Sequence, residues 1–437
     1  MKRSTSLRFI LPVLAAAFLL AALLSTDAPA QSGRVNLKTP TPEPTPTPKA
    51  EGPKFVPDPN AEKYRLVFAT RYRGRFDYRD ADELALIRRS AFDNFAEGLN
   101  KSGVEGYRVV TSLKGDPAVV ALGTEQFEYA WTETASPDEF NKRGFAGSYA
   151  QLSKKGFLLA AHAFLYGYCQ TLFADRCDYR DFFLFERRKG DEAPREHTTV
   201  DTERGEWRRK GATREEALTD GVNAKRAEGF YPAHFLSKSE IVLEREPPVP
   251  ALAETGTEVR VVRSSTFWES DDLPKKVNEL ARQGYRLALA DYEIAVMYRR
   301  AGQAAPLGYV WLKSSKKDFE GELARLQASG SVFRMTYPDS EGRRRALVFE
   351  QGAGAARREY RVLRFELQTR EDDSGQFLET ALAPASVDAQ KELNRLAAEG
   401  FAVLALFDAD EYKFGKQGKG GERILSEEFG VLLERRR

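Results

Sequence analysis

The stretch Ala398–Phe407, AEGFAVLALF, decides the fold, because the chain repeats its pattern. VEGYRVVTSL (104–113), KKGFLLAAHA (154–163), AEGFYPAHFL (227–236), RQGYRLALAD (282–291) and ASGSVFRMTY (328–337) share it: a helical run, one glycine, usually an aromatic, then a strand. Apolar residues stand seven and four positions ahead of the glycine, on one helix face. They are Leu393 and Leu396 before Gly400, Val277 and Leu280 before Gly284, Leu323 and Leu326 before Gly330, and Tyr149 and Leu152 before Gly156. The runs ahead of Gly106 and Gly229 match only at the seventh place, with Leu99 and Val222. The glycine ends the helix, since the residue after a helix end commonly needs positive φ, which glycine reaches without a Cβ clash.

Strand patterns flank each run. YRLVFATRYR from Tyr64, FEYAWTET from Phe127, EVRVVRSSTFW from Glu258, LGYVWLKS from Leu307 and EYRVLRFELQT from Glu359 lead. EIVLERE from Glu240, EIAVMYRR from Glu293, ALVFEQ from Ala346 and FGVLLERRR from Phe429 close. The polar segment 187–211 leaves the third leading strand without a clear pattern. The unit reads strand, helix, strand, strand.

LNRLAAEGFAVL (393–404) and VNELARQGYRLA (277–288), with the looser VNAKRAEGFYPA (222–233) and LNKSGVEGYRVV (99–110), resemble a family of short bacterial domains of unknown function. That family carries an L-N-x-L-x-x-E-G-W-E-L-V signature. Phe or Tyr replaces its tryptophan here, and Ser331 stands there in the fifth copy. The resemblance implies a βαββ fold and no activity.

FLLAAHAFL (157–165) and FAVLALF (401–407) are apolar on both faces, and a strand buried on both sides needs cover on both sides. One helix per unit covers one face, so neighbouring units must supply the other. The expected fold is α+β: about six tandem β-α-β-β units forming antiparallel or mixed sheets, helices packed on one face, grouped in two lobes. The proline-rich stretch 244–257 cannot continue a ladder and marks the boundary. The organisation reads as a first lobe at 61–246, a linker at 247–256 and a second lobe at 257–437.

Ahead of the repeats, Lys2, Arg3 and Arg8 precede an apolar run at 9–24, and Ala28-Pro29-Ala30 offers a small-x-small cleavage site. Residues 1–30 read as a secretory signal peptide cleaved after Ala30, with an uncleaved anchor as the alternative. No stable membrane span follows it. Residues 31–60 contain TPTPEPTPTP, an extended, disordered Pro/Thr-rich spacer. The product is expected in the periplasm or outside the cell. Cys169 and Cys177 then meet an oxidising compartment and are expected to form a disulfide.

The chain has 67 basic and 65 acidic residues, a near-balance that excludes the strong field of a nucleic-acid binder. Catalytic motifs, a phosphate-binding glycine loop and metal-ligand spacings do not occur, so no catalytic, cofactor-binding or metal residue is assigned and no cofactor is expected. Ser314-Ser-Lys-Lys317 reads as a helix N-cap followed by solvated lysines. His162 and His234 hold corresponding places past their glycines and read as ordinary strand residues. Trp131, Trp268 and Trp311 sit near the ends of leading strands; they close their own cores or, in the functional reading, form an aromatic platform. Asn100, Asn223, Asn278 and Asn394, six places ahead of their glycines, read as amides holding a neighbouring backbone. Arginine clusters such as Arg435–Arg437 read as solvated strand ends. The functional expectation is an exported, non-catalytic repeat protein presenting a surface to a protein or glycan partner in the cell envelope. The alternatives are a periplasmic enzyme with a carboxylate site between lobes, or a purely structural repeat protein.

Overall fold

The computed structural model describes residues 55–68, 81–113, 117–134, 149–165, 180–202, 211–237, 240–264, 272–291, 293–338, 344–352, 357–371, 377–409, 413–414 and 423–436. The fold class is α+β and rich in sheet, as the repeated pattern implies. Sheet 1 holds β1 (Tyr64–Val67), β2 (Tyr107–Ser112) and β3 (Ala118–Leu122), with α1 (Ala81–Val104) between β1 and β2. Sheet 2 holds β4 (Phe127–Thr134), β5 (Leu158–Leu165) and β6 (Arg180–Arg188), with a helical stretch at 149–154, here α2. Sheet 3 holds β7 (His197–Asp201), β8 (Tyr231–Ser237) and β9 (Glu240–Glu244), with α3 (Arg214–Ala227). Sheet 4 holds β10 (Glu258–Arg263), β11 (Arg286–Asp291) and β12 (Ile294–Arg299), with α4 (Asp272–Arg282).

Sheet 5 holds β13 (Gly308–Lys313), β14 (Val332–Pro338) and β15 (Arg344–Gln351), with α5 (Phe319–Ala328). The last sheet is larger: β16 (Arg358–Glu371), β17 (Phe377–Leu382), β18 (Ala402–Asp408), β19 (Lys413–Phe414) and β20 (Arg423–Arg436), with α6 (Ala389–Ala398). In the five three-stranded sheets the last strand lies in the middle, antiparallel to both others. In sheet 6, β20 likewise lies between β16 and β18. The leading and inner strands of a sheet therefore run parallel and end at the same rim of that sheet. In sheet 6, β16 and β20, each 14 residues long, extend there as a ribbon flanked by β17 and β19.

The glycines behave as the pattern requires. Gly106, Gly156, Gly229, Gly284, Gly330 and Gly400 all have positive φ, from 69° to 91°. The residue after the glycine donates its N–H back to the carbonyl five places before itself: Phe157 to Leu152, Tyr285 to Leu280 and Phe401 to Leu396. That bond closes the helix end. In four sheets an arginine at the end of the closing strand covers the aromatic after the glycine, and in sheet 1 Arg65 of the leading strand covers Tyr107 at 4.1 Å. Arg187 covers Phe157 at 4.5 Å, Arg245 covers Phe230 at 3.9 Å, Arg299 covers Tyr285 at 4.8 Å and Arg435 covers Phe401 at 4.6 Å. These four guanidiniums also donate to the last helix carbonyls, of Lys155, Glu228, Gln283 and Glu399. Each also pairs with a glutamate at or just before the leading strand: Glu128, Glu196, Glu258 and Glu359. Arg435 is thus a helix cap and a lid on Phe401. This corrects its reading as a solvated strand end.

The hydrophobic cores lie between consecutive sheets. Phe95, Leu99 and Tyr107 of sheet 1 pack with Phe127 and Tyr129 of sheet 2. Tyr149, Phe157 and Phe185 pack with Leu236 and Val242 of sheet 3. The third and fourth, fourth and fifth, and fifth and sixth sheets share cores in the same manner. The sixth core joins Leu393, Phe401 and Val431 to Tyr64, Leu113 and Val119 of sheet 1. The last sheet thereby meets the first, and the six sheets close into a ring. Helices lie chiefly against the leading strand of the following sheet, which supplies the second cover that doubly apolar strands need. Segment 247–256 contains a 3-10 turn at Pro250–Ala253, and Leu252 is fully buried in the core shared by the third and fourth sheets. The expected lobes meet in that core and again in the one joining sheet 6 to sheet 1.

Candidate functional site

A leading strand at the edge of a sheet exposes unpaired backbone groups. Here the preceding helix covers them with side-chain amides. The Asn100 carboxamide accepts from the Tyr129 N–H at 2.8 Å and donates to its carbonyl at 2.9 Å. Asn278 does the same to Tyr309, at 2.6 and 3.1 Å. Asn394 does it to Tyr64, at 3.0 and 2.9 Å, across the ring closure. Asn223 donates to the Val259 carbonyl, Thr219 accepts from the Val261 N–H and Glu215 from the Arg263 N–H, so one face of α3 follows the edge of β10. In the fifth sheet Gln327 takes the role, accepting from the Tyr360 N–H at 2.9 Å. The amide reading of the asparagines holds in this geometry.

The inner strands carry a second repeated device. In every sheet the pairing of inner and middle strands skips one residue: Val110, Ala160, Ala233, Ala288, Arg334 and Leu404. Each is the fourth residue past its glycine. The N–H beside the bulge is taken by a tyrosine from the next sheet at four junctions. Val109 donates to the Tyr129 hydroxyl at 2.9 Å, Leu287 to Tyr309 at 2.7 Å, Phe333 to Tyr360 at 3.1 Å and Val403 to Tyr64 at 3.2 Å. Each of these tyrosines is thus fastened by its backbone to the preceding helix and by its hydroxyl to the preceding inner strand. At the second junction a carboxylate replaces it: Glu244 accepts from the Leu159 N–H and from the Tyr149 hydroxyl. Burial raises the Glu244 pKa above the ordinary value.

Five inner strands, β2, β5, β8, β14 and β18, line one cavity of about 520 Å³. Bulge residues Val110, Ala160, Ala233, Arg334 and Leu404 stand on its wall. Glu246, Pro247 and Pro248, from the stretch read as the interlobe boundary, also line it. The cavity is the candidate site, and its charges follow from local pairing. Arg108 holds Glu186 at 2.6 Å. Arg195 holds Glu246 at 2.9 Å. Arg344 stands among Asp291 and Asp408, although burial lowers its pKa. Glu350, fully buried behind the wall, is shared by Arg286 at 2.6 Å, Arg334 at 2.8 Å and the Tyr309 hydroxyl at 3.2 Å.

The residues singled out in the sequence are dispersed. Trp131 and Trp311 hold corresponding places and pack against the first and fourth junction cores. The Trp131 indole donates to Asp93 at 3.1 Å, and Trp311 meets the Tyr337 ring edge-on at 4.5 Å. Trp268, Cys169 and Cys177 lie outside the described residues, as does the His162 side chain. His234 lines the cavity. Ser314 is not the N-cap of α5, a place held by Asp318; its buried hydroxyl donates to the Asp408 carbonyl and ties sheet 5 to sheet 6. The reasoning from sequence missed Arg334, Glu350 and the tyrosines, whose importance arises from contacts between units. A signal for the tyrosines existed: Tyr64, Tyr129, Tyr309 and Tyr360 recur near the starts of leading strands.

Among the described residues, no group of three or more His, Cys, Asp or Glu is placed to hold a metal ion, and no helix is long and apolar enough to cross a membrane. No family model, curated protein or solved structure matches the chain.

Proposed function

We propose that the chain is an exported, non-catalytic envelope protein, built from tandem copies of one ancestral βαββ module. Three copies precede segment 247–256 and three follow it, and together they present a surface to a protein or glycan partner. The reading rests above all on the common rim. Leading and inner strands end there, so the connections free to vary emerge together, and the β16–β20 ribbon stands beside them. Loops gathered on one side of a rigid repeat frame are where such proteins commonly bind. The leader at 1–30 and the Pro/Thr-rich spacer at 31–60 would place this rim beyond the inner membrane, held off a surface.

Enzymatic work by a carboxylate between lobes draws on Glu244, the carboxyl group at the cavity wall whose pKa is raised. Its oxygens are held by Tyr149 and Leu159, which favours a structural role. The test is a pull-down from envelope extract with the chain starting at Gln31. A second bait shortens the ribbon by joining Thr369 to Thr380, which face each other in register, through an Asn-Gly turn. A stoichiometric partner held by the full chain and lost with the short ribbon supports the proposal. No partner, or one indifferent to the rim, overturns it.

A further inference from the structure

We propose that the axial cavity binds a small organic anion with an apolar body, a site separate from the rim. The bulges set its wall. Each inner strand pairs on one side only, and the skipped residue is released from the ladder. Val110, Ala160, Ala233 and Leu404 make four of these positions hydrocarbon, and Arg334 makes the fifth a cation on the same wall.

Charge pairing selects the sign of the ligand. The three carboxylates on the wall have partners: Glu186 has Arg108, Glu246 has Arg195, and Glu244 has Tyr149 and the Leu159 N–H. The cations at the fifth position are in excess. Arg286 and Arg334 share Glu350, whose side chain is 0% exposed, so this group of three carries one net positive charge. Arg286 also donates to the Ala304 carbonyl. Arg334 uses its Nε on Glu350, and its two terminal nitrogens have no partner among the described residues. Its side chain is 32% exposed, on the cavity wall. A guanidinium fixed by one nitrogen and, among the described residues, open at two suits a carboxylate, which it can meet with paired N–H donors. The volume of about 520 Å³ lies within the ordinary range for small-molecule sites, and the wall mixes hydrocarbon side chains with charged and hydroxyl groups.

The test is titration calorimetry of the full mature chain with decanoate as probe, beside decan-1-ol and decylamine. Arg334→Met leaves Glu350 with Arg286 and Tyr309, so the wall keeps its buried pair. Ala160→Glu adds a negative charge on the opposite chemistry of the wall and serves as a second variant. The expected result is one decanoate per chain, weakened at least tenfold by either substitution, with the alcohol and the amine binding more weakly than the acid. Absence of decanoate binding overturns the proposal, as does equal binding by Arg334→Met or by decylamine. The calorimetry contains no envelope partner, so its outcome is independent of the pull-down.

Discussion

Removing the Asn394 carboxamide tests whether the last helix holds the first strand. Asn394→Ala orphans the Tyr64 N–H, bound at 3.0 Å, and removes one of two donors to the Tyr64 carbonyl, which keeps Gln390 at 2.6 Å. An orphaned buried polar group costs about 1–3 kcal/mol, and with one group orphaned at a half-buried edge the loss is about 1–2 kcal/mol. Unfolding entropy of about 2.1 cal/mol/K per residue converts that into a fall in Tm of roughly 1–3 °C for a body of this size. Asn100→Ala takes the amide from both the N–H and the carbonyl of Tyr129 and should cost somewhat more, about 2–3 kcal/mol. Differential scanning calorimetry at neutral pH compares them. In an open row of sheets Asn394 would lie at a free end, and its loss would leave Tm unchanged while Asn100→Ala lowered it. That result would refute the ring.

Other outcomes follow from the same contacts. Tyr309→Phe deletes the hydroxyl that receives the Leu287 N–H at 2.7 Å and reaches Glu350, so chemical denaturation should show a loss of about 1–3 kcal/mol. Burial pushes the His197 imidazole, tilted against the Tyr149 ring with centroids 4.0 Å apart, down to about 4. Its contribution to stability is therefore present above about 6.5 and lost as pH falls from there through about 4. Thermal melts across that window should fall less steeply in His197→Phe, and an unchanged slope would rule this histidine out. Glu244, raised chiefly by burial, acts in the opposite sense: its contribution is full below its ordinary value of 4.5 and lost as pH rises through the higher folded value. Glu244→Gln should remove that loss at neutral pH. On the proposed export, the chain should begin at Gln31 by mass spectrometry and show no reactive thiol before reduction, because Cys169 and Cys177 are expected to pair.

The periodic part of the fold was legible in the sequence. Leu393, Leu396 and Gly400 announced a helix, its buried face and its end, because those requirements are local and repeat with the helical period. The leading strands from Glu258 and Glu359 likewise appear near their expected starts. The third leading strand, His197–Asp201, was hidden by its polar composition: three of its five residues are only partly buried, and its place in the sheet comes from pairing with the distant β9. The asparagines were read correctly as backbone clamps, since a helix-interior Asn needs such a partner.

The chemistry between units could not be read in that way. Arg435 lies in a terminal cluster that looks solvated, yet it packs on Phe401 and binds Glu359, more than 70 positions away in the chain. Arg334 is unremarkable in sequence and gains its meaning from a bulge and from sharing Glu350 with Arg286, contributed by the neighbouring sheet. Closure itself left no local trace, because it depends on Tyr64 meeting a helix 330 residues later.

Closure is measured most directly by chemical crosslinking of the native chain. Lys63 and Lys391 flank the contact in which Gln390 donates to Glu62 at 2.9 Å and to the Tyr64 carbonyl at 2.6 Å. A short amine-reactive crosslinker, followed by digestion and mass spectrometry of the monomer, should yield a peptide joining Lys63 to Lys391. A monomer fully modified at both lysines but never joined between them would contradict the ring.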